Sequence, residues 1–78
     1  MSDWIPVNER LPKNNAHVLV QMKRDEKYYY NPRIMKYDET RKDWWDFTDV
    51  TWVKDACSDR AQLEVIAWMP LPDKYIPN

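Results

Sequence analysis

A chain of 78 residues with a net charge of −1 makes one domain, 1–78, and lacks the basic excess of a general nucleic-acid binder. It contains no glycine, which excludes every glycine-rich phosphate cradle, the dinucleotide fingerprint and the P-loop alike. A single cysteine, Cys57, excludes an internal disulfide framework, while five Trp, five Tyr and one Phe supply the area for a small core without disulfide or metal.

Met1-Ser2-Asp3-Trp4 shows neither the basic nor the apolar region of a signal peptide. No apolar run approaches the roughly 18–20 residues of a membrane span, and the expectation is a cytoplasmic protein without membrane contact. Residues 4–12 are expected to be extended, because Ile5 precedes Pro6 and Leu11 precedes Pro12. Lys13-Asn14-Asn15 forms a turn. Ala16 to Met22 alternates, with Val18, Val20 and Met22 on one side, and predicts a strand. After the charged connection Lys23–Lys27, Tyr28-Tyr29-Tyr30 favours strand but Pro32 limits it to an edge.

Arg33 to Tyr37 predicts the next strand, and Asp38–Lys42 a polar hairpin loop. Trp44–Phe47 and Val50–Val53 are β-rich and separated by Thr48-Asp49. Lys54–Leu63 is equally a turn or two of helix or a loop. Val65–Met69 is a buried strand, which Pro70 should close before a Pro-Leu-Pro strap packs over a neighbour. Without glycine, any positive-φ turn position must fall to Asn or Asp; Asn14-Asn15, Asn31 and Asp38 are the candidates. The fold class is all-β or β-dominated with a minor helical part. It is a small antiparallel sheet or partly open barrel of about four or five short strands, with at most one short helix near 55–63. Trp4, Leu11, Val18, Val20, Tyr37 and Trp68 are expected in one core on which the two termini meet.

No catalytic residue, metal site or cofactor is assigned. Cys57 and His17 are the sole Cys and His, and no third member completes a nucleophilic centre. Asp43, Asp46 and Asp49 recur every third residue, yet without the glycine and terminal glutamate of a calcium loop they are expected to be solvated carboxylates. Residues 21–42 carry seven basic and four acidic side chains, net +3, whereas 43–64 carry two basic and six acidic, net −4. The 27–45 stretch interleaves Lys27, Arg33, Lys36, Arg41 and Lys42 with Tyr28-Tyr29-Tyr30, Tyr37 and Trp44-Trp45. Adjacent aromatics on a strand point to opposite faces, so some must be exposed. Exposed Tyr, Trp and Arg favour a protein partner; purely structural packing of the same aromatics is the next reading, ahead of single-stranded nucleic acid, which stacking aromatics beside cations also suit, and of a carbohydrate or small ligand. Because Asp46 shares a face with Trp44, that face is expected to be wet, with Trp44 outside and Trp45 and Phe47 inside. The candidate partner-binding residues are Tyr29, Arg41, Lys42 and Trp44.

Trp4-Ile5-Pro6-Val7, Arg10-Leu11-Pro12, Val18-Leu19-Val20, Tyr37, a Trp at 44 or 45 and the terminal Trp68-Met69-Pro70-Leu71-Pro72 resemble the domain of unknown function 551 family. The resemblance spans nearly the whole chain. It departs at Ile66-Ala67, where the family pattern implies Thr-His in many members, and in the long acidic 43–64 segment. It implies a phage or prophage origin and a role in the bacterial host cytoplasm, and it implies no reaction. The expected function is that of a non-enzymatic, phage-derived protein that binds and modulates a host or phage protein, inhibition of a host defence system being one version. The alternative is a nucleic-acid-binding accessory factor using the 27–45 stretch.

Overall fold

The alternating segment becomes the central strand. The computed structural model describes residues 3–58 and 61–77, and in it β2 (His17–Arg24) is flanked by two long partners. On one side runs β4 (Arg33–Asp38), preceded by the two-residue β3 (Tyr28–Tyr29), and on the other β7 (Leu63–Pro70). Beyond β4 come β5 (Asp43–Asp46) and β6 (Thr51–Trp52); beyond β7 comes β1 (Ile5–Pro6). Among the described residues the result is one antiparallel sheet of seven strands in the order β1-β7-β2-β4-β5-β6, with β3 paired to β2. The four longer strands lie in the expected segments, and the two-residue β1, β3 and β6 fall within the expected extended 4–12, Tyr28–Tyr30 and Val50–Val53. The order runs between β1 and β6 without closing them on each other, so the sheet is open and not a barrel.

One face holds the core. Val18, Val20 and Met22 of β2 are buried together with Met35, Trp44, Val65 and Trp68. Val65 and Trp68 are three positions apart, a spacing that would put them on opposite faces of a regular strand. A β-bulge resolves this: the register slips between Gln21 and Met22, so that Met22 faces Val65 while Gln21 faces Ala67. The extra residue, Ile66, lets both large side chains turn inward. The termini meet as expected, with Ile5 opposite Trp68 and Val7 N–H donating to the Ile66 carbonyl at 3.1 Å. Trp68 Nε1 donates to the Arg10 carbonyl at 2.9 Å, and Pro12 is buried. Tyr37 packs against this core, but Trp4 is half-buried and Leu11 is exposed, because the chain turns at 7–9 and carries Leu11 outward.

The ladder ends at Pro70, opposite Val18. Residues 71–77 carry no strand and are exposed, Leu71 at 37%, so the Pro-Leu-Pro segment is not a buried strap; β2 begins at His17 and offers no further rung. The helical turn is α1 (Val53–Ala56), slightly upstream of the expected window, and residues 59–60 of that window lie outside the described residues. α1 starts where Asp43, from β5, accepts the Lys54 N–H at 3.3 Å, supplying the cap that Trp52 does not. Among the described residues, four have positive φ: Asn15 (64°), Asp25 (56°), Lys42 (54°) and Val50 (53°). Asn15 is one of the expected positions and Asp25 is of an expected type, but Lys42 and Val50 break the expectation that such positions fall to Asn or Asp. Asn14, Asn31 and Asp38 are not among them; Asp38 instead ends β4 and accepts the Thr40 and Arg41 N–H groups with Oδ1, both at 2.9 Å.

Candidate functional site

At β5 the expected orientation is reversed. Trp44 is only 7% exposed and faces the core, opposite Tyr37 with ring centroids 5.1 Å apart. Trp45 faces out, opposite Lys36 and Trp52, and Phe47 is 38% exposed. The cause is Asp46, whose buried carboxylate does not mark a wet face. Arg33 Nη1 donates to Asp46 Oδ2 at 2.7 Å and to Asp49 Oδ2 at 3.0 Å, and its guanidinium lies 5.2 Å from the Tyr30 ring centroid. Asp46 Oδ1 also accepts the Thr48 N–H at 2.8 Å, tying the same carboxylate to the turn that follows. Burial lowers the Arg33 pKa, but the hydrogen bonds and charges of Asp46 and Asp49 outweigh it and hold the guanidinium above its ordinary range. Asp43 is buried as well, held by the Trp44 N–H at 2.7 Å and by Lys54. Nothing in the local pattern of residues 43–49 announces an arginine arriving from position 33.

With Trp44 inside, the outer face is built by two rows across the strands. Met69, Leu19 and Ile34 form one, and Phe47 N–H donates to the Ile34 carbonyl at 3.4 Å. His17, Lys36, Trp45 and Trp52 form the other. Trp45 and Trp52 meet edge to face at 5.2 Å, and the His17 and Phe47 rings lie 4.7 Å apart. Ile34 is 41% exposed, large for an isoleucine at the middle of a sheet. Arg41 leans from the β4–β5 turn over Trp52, its guanidinium carbon 4.1 Å from the ring centroid, with Asp55 3.8 Å from Nη2. The expected site is therefore only partly assembled. Arg41 borders the face, Lys42 sits exposed in the same turn, and Trp44 lies beneath on the other side of the sheet. Tyr29 stands opposite Lys23, six residues along β2 from His17, and so about 20 Å away at 3.3 Å per residue.

The four described arginines 10, 24, 33 and 41 each lie over an aromatic ring, of Trp68, Tyr28, Tyr30 and Trp52 respectively. Much of the interleaved basic and aromatic sequence is thus paired within the protein. Cys57 and His17 are not brought together. Cys57 Sγ lies 3.5 Å from the carbonyl of Leu63, which faces Arg24 at one end of β2, and His17 is at the other end. No three His, Cys, Asp or Glu side chains among the described residues group as metal ligands. A cleft of about 450 Å³ at the β2–β3 hairpin tip is lined by Arg24, Asp25, Glu26, Lys27 and Tyr28, charges of both signs with Arg24 already over Tyr28.

These features define a small all-β protein with one open sheet, a core on one face and an aromatic surface on the other. The chain belongs to the family described as Protein of unknown function (DUF551), which it matches over residues 3–74. No curated protein and no solved structure matches it.

Proposed function

We propose that this protein is a non-enzymatic binding module that engages another protein through the outer face of its sheet. The observation that carries the reading is the outer face, where half-buried Trp45 and Trp52 adjoin exposed Phe47 and Ile34 on a sheet whose core occupies the opposite face. Aromatic and aliphatic side chains bordered by an arginine are the composition of interface centres. Arg41 and Lys42 form the rim of this surface, Trp44 supports it from beneath, and Tyr29 lies apart from it. The family resemblance supports a phage-derived modulator acting on a host or phage protein in the host cytoplasm, inhibition of a defence system being one form. The nucleic-acid alternative is less well supported, since the arginines stack on the protein's own rings.

The test is capture from bacterial lysate with tagged wild type, Ile34→Asp and Trp45→Ala. One protein held by wild type and lost with both variants, each still folded at the temperature of capture, is the expected result. Capture indifferent to both substitutions removes the outer face as the site.

A further inference from the structure

The segment 71–77 and the outer face are two exposed apolar surfaces of the same chain. We propose that they meet between copies: the arm 71–77 of one copy lies across the outer face of a second, which returns its own arm. This goes beyond the protein-binding reading, since it shares the face and adds the arm.

The arm leaves the fold with its apolar side chains in water, Tyr75 being 88% and Ile76 79% exposed. Its root is Pro70-Leu71-Pro72. Two fixed φ angles, and the bias of Leu71 away from the helical region, keep the chain extended where it leaves β7. The arm therefore runs on past His17, where β2 begins, and does not bend back over its own sheet. An outer face is within its reach only in trans.

Length and charge suit that contact. Seven residues at about 3.3 Å each reach about 23 Å. From β7 across β2, β4 and β5 to β6 the face is four strand spacings wide, about 19 Å. One arm can thus pass Met69, Leu19 and Ile34 and reach the side of Trp45 and Trp52. Exposed Ile34 and Phe47 beside half-buried Leu19 and Met69 offer an apolar seat. Lys36 and Asp38 alternate with Ile34 along β4, so the face carries both charges, and the arm brings Asp73 beside Lys74, an opposite charge for each. The root adjoins Met69, at the border of the same face, so two copies side by side can exchange arms reciprocally and close as a twofold dimer. Two faces packed directly would leave Tyr75 and Ile76 in water, whereas exchange covers arm and face together.

The test is sedimentation of the full chain over a dilution series, beside variants of the arm and of the face. Leu71→Ser with Tyr75→Ser and Ile76→Ser strips the arm. Ile34→Asp spoils the seat, and Phe47→Ser spoils it at a position outside the strands, should Ile34→Asp melt early. Wild type is expected to dimerise, and each variant to be monomeric at the same concentrations. An equimolar mixture of arm variant and face variant restores one arm on one face. It should dimerise about a hundredfold more weakly than wild type, because no second arm binds intramolecularly, and the series extends high enough to see it. A monomeric wild type, a dimer indifferent to the arm substitutions, or a mixture that stays monomeric each overturns the proposal. If wild type is monomeric while Ile34→Asp still loses its captured protein, the protein-binding reading stands and arm exchange falls. If the mixing test succeeds while capture is indifferent to Ile34→Asp and Trp45→Ala, exchange stands and that reading falls.

Discussion

The two faces of the sheet draw on the same residue types and differ in what closes them. On the inner face, Val18, Val20, Met35, Trp44 and Trp68 are covered by Val7 and Ala16 from the β1–β2 segment, Tyr30 from the β3–β4 connection and Val53 from α1. On the outer face, half-buried Trp45 and Trp52 and exposed Phe47 and Ile34 are bordered by Leu19, His17, Lys36 and Arg41, all of the same layer or its rim. An aromatic pair such as Trp44-Trp45 is thus divided between folding and contact. The inner member is held by cross-strand packing, whereas the outer one keeps water on part of its ring. Aromatic content alone does not distinguish the two roles; the coverage of each face does.

The largest expected effect is the loss of an inner tryptophan. Trp68→Ala or Trp44→Ala should cost about 3–5 kcal/mol, the range for truncating a buried large aromatic. For a domain of this size that is most of the folding free energy, so both variants should be largely unfolded at 37 °C by circular dichroism. Trp45→Ala is the matching measurement on the other face and should cost no more than about 1.5 kcal/mol, because solvent already reaches the side chain. Equal destabilisation by Trp44→Ala and Trp45→Ala would erase the distinction between the faces.

Next in size is the arginine that sets the orientation of β5. Arg33→Leu leaves the buried Asp46 carboxylate without its guanidinium, and breaking such a pair typically costs about 3–5 kcal/mol. Arg33→Leu combined with Asp46→Asn should recover part of that loss, since the amide oxygen still accepts the Thr48 N–H and no charge is stranded. Urea denaturation of the single and double variants measures the recovery. A double variant no more stable than Arg33→Leu alone would show that the guanidinium acts through its packing on Tyr30 and not through the carboxylate.

Much of the fold was legible in the residues because it rests on local rules. Val18, Val20 and Met22 alternate as a strand must, Pro70 closes β7, and the absence of glycine sends a positive-φ position to Asn15. The site was less legible, for two physical reasons. The face assignment at Trp44 and Trp45 depends on a contact thirteen positions away, between Arg33 and Asp46, that makes a carboxylate an interior group. The distance between Tyr29 and Arg41 depends on strand order: both lie in one basic-aromatic stretch, but the β2–β3 hairpin and the β4–β5 turn occupy opposite ends of β2. The bulge at Ile66 is of the same kind, visible only once Met22 is set against Val65.

The smallest expected effect concerns the turn at the border of the outer face, between β5 and β6. Between β5 and β6 the chain passes through Val50, whose φ of 53° is in the left-handed region, where a β-branched residue is an outlier. An L-residue held there costs roughly 1–2 kcal/mol, and the Val50 side chain, 70% exposed, recovers little by packing. Asparagine tolerates this region and its side chain would meet water, so Val50→Asn should raise stability by about 0.5–1 kcal/mol. For a domain of this length that corresponds to a rise in melting temperature of roughly 2–8 °C. Val50→Gly should gain less, because glycine also gives the unfolded chain more freedom, by about 0.5–1 kcal/mol. The same variant locates the border of the outer face. Phe47 opens the turn and Val50 closes it, so if the contact surface ends at Phe47, Val50→Asn will melt higher and still hold the captured protein. Higher melting with lost capture would extend the surface to Val50 and make the strained turn part of it. Lower melting would mean that the valine side chain belongs to the packed structure, and the strain argument would fail.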